Sequence, residues 1–558
     1  MPPASPQPAA PAPPQPVPPA DEAGSIHPYV PPRAAPKDWQ GVFAAIRAGD
    51  WLGAQLGIAA LPDGPLKPVA KAQLYTARNS PRVELPQILA LLAEAPDLPQ
   101  SEQLQRLALT RGAIAPPAIV TPRQTVFLGS SPRRQRARAV TGEPLADALR
   151  LQLDPRVKSD DARGAEALLI AQGPYLSAEA RAEAAQRVAW IYYVLGQDVE
   201  ARRVADQWRV GSGGEWGGQA AWISGLAAWR ANDCPDALIA FRDAARLTSD
   251  RELASAANYW AARSAQACRR PREVEPLLKA AARYPDSFYG LVARETLGMP
   301  TSFERPHRPG FTGRVPPNVA RARALSAIGE RGIADELIRY QARLGTAQDQ
   351  AKLLAVAEEL NLPATQYWLA HNGPPGTVVA PADRFPALRW QPSRGWRLDP
   401  ALVTAHTRQE SDFRAGVISP AGAIGLMQVR PIMATDVARM RNSGIGDLKD
   451  PSTNLEYGQT AIEIMRAGAA SQGQLLKVVA AYNAGLVPVA RWASIPDRGD
   501  PLLWMESLPY WETRYYVPSV LRNMFVYQGL DHRDQPALKA IAQHGWPTFP
   551  TAESARKR

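Results

Sequence analysis

Residues 160–267 repeat one pattern that leaves few folds open: alanine-rich stretches with an apolar stripe at helical period, separated by short breaks. "DDARGAEALLIAQG" (160–173), "AEAAQRVAWIYYVLGQ" (182–197), "QAAWISGLAAWRAND" (219–233) and "ELASAANYWAARSAQA" (252–267) each carry such a stripe. Trp190, Trp222 and Trp260 recur at spacings of 32 and 38 residues, each early in the first helix of a pair. Helix pairs of that length, none able to bury its apolar face alone, predict an α-solenoid. The tryptophans fit either a ligand-stacking row or fillers between stacked pairs, and the second is the simpler reading.

At 558 residues the chain exceeds one hydrophobic core and should divide into several units. Residues 1–37 hold 14 of the 55 prolines and read as an extended Pro/Ala-rich disordered tether. The α-superhelical solenoid domain is expected over 38–310, closing with "YPDSFYGLVARETLG" (284–298) before Pro300, Pro306 and Pro309. A smaller helical linker domain follows at 311–387, ending in the turn-rich "NGPPGTVVAPADRFPA" (372–387). A last substantial unit spans 388–535, and 536–558 read as a polar, basic tail.

Lys plus Arg (64) exceeds Asp plus Glu (53), which favours an anionic partner without choosing one. The densest basic run, "SSPRRQRARAV" (130–140), has no interleaved aromatics, so a nucleic-acid platform is not implied and the run reads as a solvated loop or helix face. Cys234 and Cys268 have no zinc-site spacing; a disulfide and two buried thiols both stay open. His27, His307, His371, His406, His532 and His544 form no metal motif, so neither metal nor cofactor is expected. No run of 18 uncharged apolar residues predicts a membrane span. The N-terminal stretch lacks the pattern of a signal peptide.

The stretch "TRQESDFRAGVISPAGAIGLMQVRP" (407–431) does not look like scaffold. Asp399 and Pro400 predict a helix start, and the helix should run to near Gly416. Glu410 then lies in its last turns, where the helix dipole disfavours an anion and burial would keep the acid protonated. A protonated, poised carboxyl is a candidate general acid; a surface Glu is the alternative. His406 shares its face, to tune it or merely to pack. Gly422 and Gly425 allow close backbone approach to a ligand, and Pro431 opens the next helix. Farther on, Tyr482 and Asn483 end a helix that turns at Gly485.

Four segments in order, "ESDFRAGVISPAGAIGLMQVRP", "DPSTNLEYGQ" (450–459), "AAYNAG" (480–485) and "ESLPYWETRYYV" (506–517), resemble the successive motifs of the soluble lytic transglycosylases. The resemblance spans about 390–530. It implies a mostly α fold: an N-terminal α-superhelical solenoid or ring, a helical linker domain and a C-terminal lysozyme-like α+β catalytic domain. It implies Glu410 as the single catalytic acid/base, with Ser411 beside it. Ser419, Gly425, Leu426, Met427 and Gln428 match the turn that lines the cleft and binds the N-acetyl sugar. Tyr482 and Asn483 match a pair whose Tyr orients the acid or the substrate, and Glu512, Arg514 and Tyr516 match the closing motif of the cleft wall. Arg430 and Tyr515 depart from the family pattern.

The same resemblance implies cleavage of peptidoglycan glycan strands in the periplasm to 1,6-anhydro ends by a monomer, with the basic solenoid gripping the strand. Possible cell-wall machinery partners stay unnamed. A hydrolytic muramidase and a non-catalytic peptidoglycan-binding scaffold are the alternatives, as is a solenoid that serves protein partners.

Overall fold

The computed structural model describes residues 35–553; residues 1–34 of the tether expected at 1–37, and the last five residues, lie outside them. Contacts divide the chain into two compact units, with the boundary between Val83 and Glu84. The expected solenoid start at residue 38 therefore falls in a separate body. In it, helices Trp39–Ala48, Trp51–Ala60 and Leu66–Thr76 bury Val42, Phe43, Ala54, Ile58 and Val69. Asp38 caps the first helix, accepting from Gly41 N, and Gly49 ends it at φ 72°.

The second unit opens with helices Leu85–Glu94 and Ser101–Thr110. Sequence pattern alone would put them in the solenoid. They join the linker helices instead: Arg321 pairs with Asp97 at 2.7 Å, and Asn318 Nδ2 donates to Asp97 O at 2.7 Å. The short strand Val126–Phe127 pairs antiparallel with Asn372–Gly373, tying the same segment to the end of the linker helices.

The superhelical part runs from Pro144–Lys158 to Phe288–Thr296 as antiparallel helix pairs. Trp222 and Trp260 are buried in its core, while Trp190 is partly buried. Cys234 and Cys268 are joined in a disulfide across neighbouring helices, which settles the alternative left by the sequence. A repeat that the tryptophan spacing blurs is carried by carboxylates. Glu143 accepts from Ser177 N at 3.2 Å, Glu179 from Trp216 N at 2.8 Å, Glu215 from Ser249 N at 2.8 Å and Glu252 from Phe288 N at 3.2 Å. Each glutamate stands at the N-terminus of one helix and satisfies the orphan backbone donors at the start of the next repeat.

Residues 128–140 form no helix and run along this ladder. Gln135 N donates to Asp250 at 2.7 Å, Trp216 Nε1 to Arg138 O at 2.8 Å, and Val140 N to Glu183 at 2.8 Å. Arg134 points inward to Glu506 at 3.2 Å, beneath the rings of Trp222 and Tyr515.

The C-terminal unit is built on the helix Pro400–Ser411, packed along the long helix Trp511–Leu530. Around them lie Pro431–Met440, Pro451–Ala467 and Leu475–Ala484. Its β component is reduced to isolated bridges, Ile418 with Ile424 and Ile424 with Val429. Residues 536–553, expected as a tail, are packed rather than free. Helix Pro536–Ala542 buries Leu538 and Ile541, Trp546 meets Trp504, and Thr551 bridges Leu398. Apolar residues spaced among polar ones, too few to read as a helix stripe, hold it there. Among the described residues no helix is long and apolar enough to cross a membrane.

Candidate active site

Glu410 owes its position to both ends of its helix. Asp399 caps the start, accepting from Ala401 N at 2.9 Å, and is itself fixed by Arg533 at 2.8 Å. Residues 401–408 are buried throughout, so the helix cannot rotate without exposing apolar surface. The helix stops at Ser411 rather than near Gly416, because Asp412 and Phe413 take left-handed conformations, φ 49° and 66°. Phe413 is thereby buried, and Glu410 is left half-buried on the floor of a cleft of about 680 Å³.

The Tyr516 hydroxyl donates to Glu410 Oε1 at 2.5 Å, and His406 Nδ1 lies 2.8 Å from the Tyr516 oxygen. With the tyrosine proton committed to the carboxyl, the second contact is a donation from the His406 N–H. His406 is fully buried, its ring 4.6 Å from that of Tyr482. Burial pushes its pKa down to about 3, so it stays neutral. Burial also pushes the Glu410 carboxyl up to about 7, against the lowering effect of the Tyr516 bond; the negative charge of Glu512 adds to the rise. Such an acid is substantially protonated at neutral pH and can also act as a base in the same turnover.

Beside it, the turn 417–429 is held by its backbone. Asn454 accepts from Met427 N at 2.8 Å and donates to Ile424 O and Leu448 O at 2.9 and 2.8 Å. Tyr482 donates to Met427 O at 2.7 Å, and Ser411 to Leu426 O at 2.7 Å. Ser419 Oγ accepts from Ala423 N at 3.0 Å, and Gln428 Nε2 donates to Gly425 O at 2.9 Å. Leu426 and Met427 are fully buried, so their side chains shape the turn from beneath instead of facing the cleft.

Not every expected residue meets the cleft. Asn483, Glu512 and Tyr516 line it with Glu410, and Asn483 Nδ2 donates to Glu512 at 3.2 Å. Tyr482, expected to orient the acid or the substrate, sets its hydroxyl on Met427 O and packs its ring on His406, while Tyr516 holds the acid. Arg514 is buried away from the cleft, its guanidinium 3.5 Å from the centre of the Trp190 ring. It docks the long helix on the superhelix and stands behind Trp511 and Tyr515, which line the cleft. Asn454 and the pair Arg133 and Arg136 were missed. Asn454 had a signal in "DPSTNLEYGQ"; the arginines lie some 270 residues away in sequence and had none. Among the described residues, no group of three His, Cys, Asp or Glu side chains is placed to hold a metal ion.

The family model described as "Transglycosylase SLT domain" matches residues 390–503. The soluble lytic murein transglycosylase of Escherichia coli K12 is 33% identical over 156 residues, covering 27% of this chain and 24% of that protein. The aligned stretch thus spans about a quarter of the length of that relative. The endo-type membrane-bound lytic murein transglycosylase A of Klebsiella pneumoniae strain 342 is 30% identical over 147 residues, covering 24% of this chain and 71% of that protein. In overall fold, the 70 kDa soluble lytic transglycosylase of E. coli superposes with a TM-score of 0.51 at 17% identity, covering 93% of this chain and 99% of that one. An inactive variant of the Pseudomonas aeruginosa lytic transglycosylase Slt gives 0.52 at 18% identity, covering 89% and 86%. The fold is that of a superhelical protein with a lysozyme-like domain. The chain belongs to the lytic murein transglycosylases.

Proposed function

We propose that this chain cleaves the β-1,4 bond between N-acetylmuramoyl and N-acetylglucosaminyl units of peptidoglycan, leaving 1,6-anhydromuramoyl ends. The observation that carries this reading is the half-buried Glu410, raised to about 7 and held through one oxygen by Tyr516, which leaves the other oxygen to move a proton. Glu410 protonates the leaving glycosidic oxygen while the substrate's own 2-acetamido oxygen attacks C1, forming an oxazolinium-like intermediate. The Glu410 carboxylate then takes the proton of the C6 hydroxyl, whose oxygen closes on C1 and releases the acetamido group. The carboxyl ends protonated, as it began, and no water is consumed. In this reading residues 388–535 are the catalytic unit; Ser411, Ser419, Gly425 and Gln428 shape its sugar-binding turn, while Asn483 and Glu512 form the wall.

Tyr516 and His406 act on the second half of the cycle, because a donated hydrogen bond stabilises the carboxylate. Activity should fall as pH rises through about 7, where Glu410 loses its proton before substrate arrives. Tyr516→Phe removes the bond that lowers this pKa, so the falling limb of the pH–rate profile should move up by roughly one unit. A limb that stays in place would mean Tyr516 does not act on Glu410.

Glu512, the other carboxylate on the cleft wall, favours a second reading, hydrolysis with two carboxylates. Mass spectrometry of muropeptides released from purified sacculi separates the two. Ends one water lighter than the hydrolysed species are expected; reducing, hydrated ends would replace the first reading with the second. A periplasmic location agrees with the substrate and with the Cys234–Cys268 disulfide, since such bonds persist in oxidising compartments.

A further inference from the structure

A cavity of about 790 Å³ lies between the linker helix Arg331–Leu344 and the segment that follows Glu410. Phe413, Leu362 and Pro363 give it an apolar floor, and Trp390 stands partly exposed on its wall. Arg331, Asp335, Glu336 and Arg339 line it from one face of the linker helix, and Arg414 lines it from the catalytic side. The wall is a built one. Arg339 Nε donates to buried Thr365 Oγ1 at 2.9 Å, Thr365 donates to Asp335, and Arg414 Nε donates to Ser411 O at 2.8 Å. Two buried atoms of its lining residues have no hydrogen-bond partner, the donor Trp390 Nε1 and the acceptor Asn361 Oδ1. Val417 belongs both to this cavity and to the turn beside Glu410, where its carbonyl accepts from Gly425 N at 2.9 Å.

We propose that this cavity is a second saccharide site, which holds sugar units of the same glycan strand that lies in the cleft. This rests on the reading of the cleft as a peptidoglycan-cleaving centre. Guanidinium and carboxylate groups share the walls, so an anion would meet Asp335 and Glu336 and a cation would meet the arginines. An uncharged polyhydroxyl ligand suits both, because each hydroxyl donates and accepts. The apolar face of a pyranose ring matches Trp390 and the floor beneath it, the usual division of labour between apolar walls and a few polar groups. An N-acetyl group carries the acceptor and the donor that the orphaned Trp390 and Asn361 atoms lack. Three residues of chain separate Phe413 from Glu410 by at most about 10 Å, so one strand can reach both sites.

The test measures binding to the full chain carrying Glu410→Gln, which keeps the ligand uncut. The probes are uncharged oligomers of four and eight N-acetylglucosamine units. The longer probe should bind about tenfold more tightly, because it engages both sites at once. Adding Trp390→Ala should abolish that advantage and leave the shorter probe within about twofold of its former Kd. Raised salt should leave the advantage in place, as expected for a neutral ligand. Equal losses on both probes, no loss on either, or an advantage that fades with salt would overturn the site. Arg331→Ala, on the exposed rim, repeats the comparison should Trp390→Ala fold poorly. Product masses from the wild type report on the reaction separately: hydrated ends would sink the anhydro reading and leave the length preference to be judged on binding alone.

Discussion

Glu410→Gln is expected to cut the release of muropeptides by at least about 10³-fold while the protein stays folded. The amide is nearly isosteric and can still accept from the Tyr516 hydroxyl, so the arrangement of Tyr516 and His406 should survive. What is lost is the only proton that the acid helix can deliver to a leaving oxygen. Neither His406, buried and neutral, nor Asp412, in the turn beyond the helix, can stand in. Stability should move in the opposite sense. The folded carboxyl titrates near 7 against 4.5 for an ordinary glutamate, so the native state holds the proton more tightly than the unfolded one. That contribution is fully present below about 4.5 and disappears as pH rises through about 7. The Gln variant lacks this pH dependence. Thermal melts at pH 4 and pH 8, together with sacculus clearance, check both halves; clearance at the wild-type rate would remove Glu410 from the chemistry.

Gly425→Ala should do more damage to the fold than any single change at the reacting atoms. The residue sits at φ 77°, and an added Cβ would lie 2.3 Å from Asn454 Nδ2 and 2.4 Å from Leu448 O. Asn454 cannot retreat without losing its bonds to Met427 N, Ile424 O and Leu448 O. A loss of about 3–5 kcal/mol is expected, together with collapse of the turn beside Glu410. Gly422 provides the control. It shares φ 77° but an added Cβ meets nothing within 4 Å, so Gly422→Ala should cost only about 1 kcal/mol. Denaturant melts of the two variants measure the difference, and equal costs would show that backbone conformation alone sets the requirement.

The features legible in the sequence were local ones. Asp399 with Pro400 marked a real helix start, Pro431 another, and Gly485 a real turn, because caps and φ restrictions act within a few residues. The acid itself stood out for the same reason. The early stop at Ser411 was hidden, since nothing in "SDF" announces two left-handed residues whose reward is the burial of Phe413. Distant pairings were hidden too. Arg514 reads as a cleft residue until Trp190 is found against it, and the arginines of 133–136 read as solvated until the chain brings them to Glu410. Helices 85–110 have solenoid-like periodicity, yet periodicity says which face is apolar and not which neighbour covers it. The glutamate ladder was visible in principle. Glu143, Glu179, Glu215 and Glu252 are 36 to 37 residues apart, a more regular beat than that of the tryptophans.

That ladder, with the segment 130–140 laid along it, changes how the superhelix should come apart. Repeats that touch only their neighbours loosen one at a time, beginning at a free end. Here a single stretch of backbone is fastened to Glu183, Trp216 and Asp250, groups drawn from successive repeats, and through Pro132 to Arg522 of the long helix. No repeat along it can open without shedding one of those fastenings. The superhelix and the catalytic helices therefore share one unfolding transition over this region, and the wall of the cleft is as durable as the scaffold behind it.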